Sequence, residues 1–338
     1  MISPLEAESQ RLGAYYPFNT TVLETVALAA DANRSTSWQE IRSKLPDTSI
    51  FNPAEGNPVE ILDIMPQGDY ENTYVYHLPM ANSIDPNIMT RLAVLSQVLP
   101  TSRIVATGNP THPFKSTGKI PLRNLPAVWN GDLRPVVRPT LEYISSQGIE
   151  EVAHIGYSYG ADRAAAAAAH GGAYDHHVRG SVFMEPAGIE KRGIVGLGRA
   201  FGDSAVALPQ YLAAADSRAL NEARGLAEQE SHGAIGFAGL LRASNLAITH
   251  ALSGGAFADR VRDALNVQID MSVALIWGTE SEIATHGVMQ HLHDRLRRSF
   301  PERITAVTVP GQKHAMGDDI FLHAALVAQG IHANAEPQ

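Results

Sequence analysis

An α/β fold is what this sequence predicts: a mostly parallel central sheet flanked by helices. Three observations predict it. Short β-rich runs alternate with helical ones from Val59 onward, a pattern that builds parallel sheets with helices on both faces. One apolar run, Val152-Ala153-His154-Ile155, passes through Gly156-Tyr157-Ser158-Tyr159-Gly160 directly into an alanine-rich helical stretch. A strandless, Ala/Leu-rich segment at 189–266 then interrupts the alternation and is too long for an ordinary connection.

Taken in order, residues 1–58 read as an extension before the sheet. Thr20 to Ala30 is apolar with helical character, and Ser37-Trp38-Gln39-Glu40 is a capping box opening a short helix towards Leu45. Asn52 to Pro58 is a loop by composition. Val59–Met65 and Thr73–Leu78 are β-like, with a turn at Gly68-Asp69. Asp85-Pro86 starts a helix, Asp at the N-cap and Pro at the first position, carrying Ile88, Leu92, Leu95 and Val98 on one face. Arg103–Thr107 is a short buried strand, Asn109–Phe114 a Pro-rich loop, and about Asn130 to Ser146 a helix.

The alanine run Ala164–Ala169 lets the next helix lie close to the sheet. Gly180–Met184 is a strand ending in Glu185-Pro186. Met271–Trp277, a helix through Val288–Phe300, the strand Ile304–Val309 and a helix Asp319–Gln329 complete the pattern. The expected organisation is a core of 59–188 and 267–330, a helical cap of 189–266 and a tail of 331–338.

Composition excludes several classes. The formal net charge of −9 leaves no basic excess to neutralise nucleic-acid phosphates or an anionic membrane. No cysteine is present, which removes disulfides and thiolate metal sites. No apolar run reaches the ~18 residues a membrane helix needs. Met1 to Glu8 has acids where a signal peptide has bases, so a cytoplasmic location is expected. The sequence leaves oligomeric state open. His291 and His293, with His286 nearby, share no helix face suited to a metal, and His176-His177 beside Asp175 reads as a surface loop.

The strand–Gly-x-Ser-x-Gly–helix order resembles the nucleophile elbow of the α/β-hydrolase superfamily, over roughly Val59 to Gly330. In that fold the chain order is Ser, then acid, then His. The resemblance implies Ser158 as nucleophile. Of the fourteen histidines, His314 alone follows the last strand directly and precedes the last helix, which makes it the expected base. For the acid, Trp277-Gly278-Thr279-Glu280-Ser281-Glu282-Ile283 follows the penultimate strand and is similar to a G-x-x-S-D-[IL] form, with Glu282 in place of Asp. Glu185 is the alternative, since some members, including a branch of the haloalkane dehalogenases, place their acid after the earlier strand; Glu280 is a weaker candidate.

The oxyanion hole needs two backbone N–H groups aimed at developing charge. Tyr159 supplies one by the resemblance. The other is expected at Met80, in His77-Leu78-Pro79-Met80, because Pro79 has no N–H. The family likeness implies a serine hydrolase that cleaves an ester of a small or medium apolar acyl group through an acyl-enzyme. It implies no metal and no organic cofactor. Other chemistry on the same residues, or a hydrolase fold without catalysis, are the alternatives.

Overall fold

The computed structural model describes residues 3–80, 82–110, 119–215, 217–230 and 242–335. Three helices come first: α1 (Pro4–Tyr15), α2 (Thr20–Arg34) and α3 (Trp38–Lys44). The expected capping box forms at α3, where Glu40 accepts the Ser37 N–H at 2.7 Å. Helix α1 was not expected; Ser3 and Glu6 make the same reciprocal cap there. The extension also holds a strand, β1 (Ser49–Phe51), which pairs Ser49 with Ile61 and joins the sheet as its edge.

The remaining elements alternate. β2 (Val59–Ile64), β3 (Asn72–His77), α4 (Pro86–Val98) and β4 (Ser102–Thr107) lead to α5 (Leu125–Trp129) and α6 (Arg134–Ser146). β5 (Glu151–Tyr157), α7 (Tyr159–His170) and β6 (His177–Met184) follow. Among the described residues the helices that come next are α8 (Gly193–Ala214), α9 (Arg218–Glu230), α10 (Ala243–Ser253) and α11 (Phe257–Val267). β7 (Ser272–Gly278), α12 (His286–Ser299), β8 (Ile304–Val309) and α13 (Ile320–Ala335) close the chain. The helix expected from about Asn130 to Ser146 is α6, which starts later, at Arg134, where Asp132 accepts the Arg134 N–H at 2.9 Å; the short α5 lies before the expected span. Residues 111–118, most of the Pro-rich loop, lie outside the described residues.

The eight strands lie in the order β1-β2-β4-β3-β5-β6-β7-β8. Only β2 runs against the rest, and every pair from β4 to β8 is parallel. Alternation along the strands divides the core. Tyr76, Ile155, Val182 and Ile276 bury against α4 and α13 on one face. Val75, Phe183, Leu275 and Trp277 bury against α7, α11 and α12 on the other. All-alanine packing at 164–168 keeps α7 against the sheet. His176 is buried, with its ring nitrogens 3.0 and 3.1 Å from the Ile149 and Leu141 carbonyls, and so is not in a surface loop.

Because β5 to β8 are parallel, their C-terminal ends converge on one edge. That edge is where open α/β sheets bind ligands.

Candidate active site

Ser158 sits between β5 and α7 at φ 56°, ψ −129°, a conformation costing on the order of 1–3 kcal/mol for a residue with a side chain. The flanking glycines make the turn possible. A Cβ on Gly156 would lie 2.3 Å from the Gly160 carbonyl oxygen, and one on Gly160 would lie 2.0 Å from the His77 carbonyl oxygen. The Ser158 N–H bonds the Met184 carbonyl at 2.9 Å and ties the turn to β6. The first amides of α7 have no carbonyl in their own helix and favour negative charge.

His314 opens a short 3-10 turn, His314–Asp318, after β8. Its loop is held from several sides. Tyr211 of α8 accepts the Lys313 N–H at 3.1 Å. The Tyr157 hydroxyl shares its proton between the His314 carbonyl (2.9 Å) and Asp318 (3.1 Å), and its ring stacks on the imidazole at 5.5 Å. Burial pushes the Tyr157 phenol well above its ordinary value, so it stays a donor. From α4, Arg91 reaches Asp318 at 3.1 Å.

The imidazole joins two groups. His314 Nε2 is 3.0 Å from Ser158 Oγ, and His314 Nδ1 is 3.0 Å from Glu185 Oε2. A carboxylate only accepts, so the proton lies on Nδ1 and the Nε2 lone pair faces the serine hydroxyl. Glu185 is fully buried, yet its charge is compensated. Gly278 N–H donates to Oε1 at 2.6 Å, and Ser281 Oγ–H to Oε2 at 2.5 Å. Glu185 itself has φ 51° just past the end of β6, and its side chain reaches Gly278 at the end of β7 and Ser281 in the loop beyond. A Cβ on Gly278 would lie 2.1 Å from the Gln312 carbonyl oxygen, so bare backbone there lets β7 and the histidine loop meet.

The structure thus brings Glu185 to His314, and not Glu282. The side chain that points inward from the β7 loop is Ser281. Glu282 turns to Lys313, with 3.3 Å between Oε1 and Nζ. Glu280 is exposed. Sequence reasoning did not single out Ser281 or Tyr157. Tyr157 was in view as the residue before Ser158, but its hydroxyl's partners are far along the chain.

Ser158 and His314 open onto a cavity of about 560 Å³. Ile194, Gly198, Phe201 and Leu208 of α8 and Leu246 of α10 supply apolar walls. Pro79 and Met80 line it as well. The Pro79 carbonyl is fixed by the buried Asn109 side-chain amide at 2.5 Å. Tyr159 is buried, and burial raises its phenol. Elsewhere His286 accepts the Trp277 indole N–H at 2.9 Å, and His293 lies 3.1 Å from Asp294. Among the described residues no group of three or more His, Asp or Glu is arranged to hold a metal ion. No described helix is long and apolar enough to cross a membrane.

No family model and no curated protein matches the chain. Solved structures do. A serine hydrolase from Cycloclasticus zankles superimposes with a TM-score of 0.55 at 13% identity, covering 84% of this chain and 96% of that one. A proline iminopeptidase from Mycobacterium smegmatis gives 0.52 at 15% identity, over 85% and 98%. A bromoperoxidase from Bacillus anthracis gives 0.51 at 13% identity, over 83% and 99%. The chain has the α/β-hydrolase fold.

Proposed function

We propose that this chain is a serine hydrolase that cleaves carboxylic esters of small or medium, largely apolar acyl groups. The observation that carries the reading is the unbroken chain Ser158–His314–Glu185, with both links at 3.0 Å, opening on an apolar cavity. A serine hydroxyl is a weak nucleophile until a base accepts its proton, and the base works when an acid fixes its tautomer.

In this reading Ser158 Oγ attacks the ester carbonyl as its proton passes to His314 Nε2. Glu185 stabilises the imidazolium that forms. The carbonyl oxygen, now negative, lies at the start of α7, where the Tyr159 N–H and the Met80 N–H are the proposed donors. His314 then protonates the leaving alkoxide, and the acyl group stays on Ser158. Water, deprotonated by His314, attacks the acyl-enzyme and releases the acid. These steps require no metal or cofactor.

Residues 189–266 are proposed to act as a cap, a reading supported by the α8 and α10 side chains in the cavity wall; the last helix of that span, α11, packs on the sheet face instead. The compensated Glu185 weighs against a hydrolase fold without catalysis. The iminopeptidase among the similar structures makes amide cleavage the competing activity to assay. The test is hydrolysis of p-nitrophenyl esters of graded chain length beside the matching anilides. Wild type should turn over the esters, and Ser158→Ala should lose at least about 10³-fold in kcat. Equal rates for the two proteins sink the proposal.

A further inference from the structure

The cavity above Ser158 has one charged side chain in its wall. Among the described lining residues Asp318 alone carries a fixed charge, and its side chain is 24% exposed. The groups behind it are all inward. Arg91 donates to Oδ1 at 3.1 Å and Tyr157 to Oδ2 at 3.1 Å. Arg91 is itself buried and also reaches the Tyr76 hydroxyl at 3.4 Å. A carboxylate offers about four lone-pair positions. The described residues fill two of them, and no side chain from α8 or α10 donates to the others.

A wholly apolar substrate filling this cavity would displace water from those positions and leave them without a donor, a cost that disfavours binding. A substrate with a hydrogen-bond donor there avoids it. Arg91 already balances the charge, so a neutral donor suffices and a second cation would meet Arg91 across the carboxylate. We propose that Asp318 is a specificity-determining residue that selects esters carrying a hydroxyl group on an otherwise apolar frame. The inference rests on the hydrolase reading only for which compounds enter; the binding preference stands apart from turnover.

The test uses matched esters of short and medium acyl chains, each with and without one hydroxyl placed along the chain, and ammonium analogues of the same lengths. Binding is measured by calorimetry on Ser158→Ala, which keeps Asp318 and Arg91 intact, and kcat/KM on wild type. At least one hydroxyl position should bind about tenfold or more tightly than its plain partner and show a similar gain in kcat/KM. Replacing both charges together, Asp318→Leu with Arg91→Leu, strands neither and should bring the ratio to about one. The ratio within each protein cancels general damage to the histidine loop, and the Ser158→Ala binding data decide the matter if the double variant does not fold.

Equal binding for every pair overturns the proposal, as does tighter binding of the ammonium analogues, or a preference that survives the double substitution. Preferential binding with no ester turned over by wild type would retain this inference and remove the hydrolase reading. Turnover of all pairs at equal kcat/KM would do the reverse.

Discussion

Glu185 and Glu282 differ in what surrounds their carboxylates. Glu185 accepts from Gly278 N–H, Ser281 Oγ–H and His314 Nδ1–H, whereas Glu282 faces Lys313 at 3.3 Å and its carboxylate accepts no hydrogen bond among the described residues. Glu185→Gln should therefore lower kcat by roughly 10³- to 10⁴-fold, because the amide no longer fixes the histidine tautomer or balances its charge. Glu282→Gln should stay within a few-fold of wild type. Steady-state kinetics on both variants check this; a large loss at Glu282 with none at Glu185 reverses the assignment. Ser158 and His314 were legible because each is marked locally, one by its glycines and the other by its place after the last strand. The acid was not. Two glutamates end or follow neighbouring strands, and the choice depends on the positive φ at Glu185 and the inward rotation of Ser281. Neither has a signature in the chain.

At the scale of elements, α1 does more than extend the chain. Arg11 reaches Asp319 at 2.5 Å, and Asp319 is fully buried at the start of α13, accepting the Phe321 and Leu322 amides. Asp319 follows the turn that carries His314. Arg11 also bonds Glu8, and its charge is held firmly by the two acids despite partial burial. Arg11→Ala should destabilise the protein by about 2–4 kcal/mol, since it leaves a buried carboxylate short of its cation. It should lower kcat more than it raises KM. Urea denaturation with steady-state kinetics checks both; unchanged stability would show that the two backbone amides suffice for Asp319. The reading of residues 1–58 as an extension missed this clamp because its partner lies 308 residues on. It missed β1 because three residues carry no measurable alternation. The longer elements were legible: the caps at Ser37 and Asp85 and the alternating strands from β2 to β8 stand where local chemistry puts them.

For the whole molecule, buried histidines set the response to acid. His77 and His154 touch at 3.1 Å, and His323 meets the Tyr76 hydroxyl at 3.2 Å. Burial foremost lowers all three: His154 to about 3, and His77 and His323 well below their ordinary value. The folded chain stays neutral at these positions while the unfolded chain takes up protons near pH ~6.5. The stability they contribute is therefore complete above that pH and is lost as pH falls towards the depressed folded values. Between pH ~7 and ~5.5 the loss should be about 1 kcal/mol per histidine, before most carboxylates titrate. Urea midpoints across that interval test it; a flat profile would show that these rings take up protons as readily in the fold as in the unfolded chain. The sheet that buries them was readable from strand alternation. Their burial was not, because nothing in the sequence marks the strand residues His77 and His154 or the helix residue His323 as facing the core.

The central claim is that Ser158 is an activated nucleophile within the Ser158–His314–Glu185 chain. Covalent labelling by a fluorophosphonate, mapped by peptide mass spectrometry, tests it most directly. The adduct should form on Ser158 in wild type and in Glu282→Gln, form far more slowly in Glu185→Gln, and be absent in Ser158→Ala. No adduct on folded wild-type protein, or one that persists in Ser158→Ala, would contradict the account.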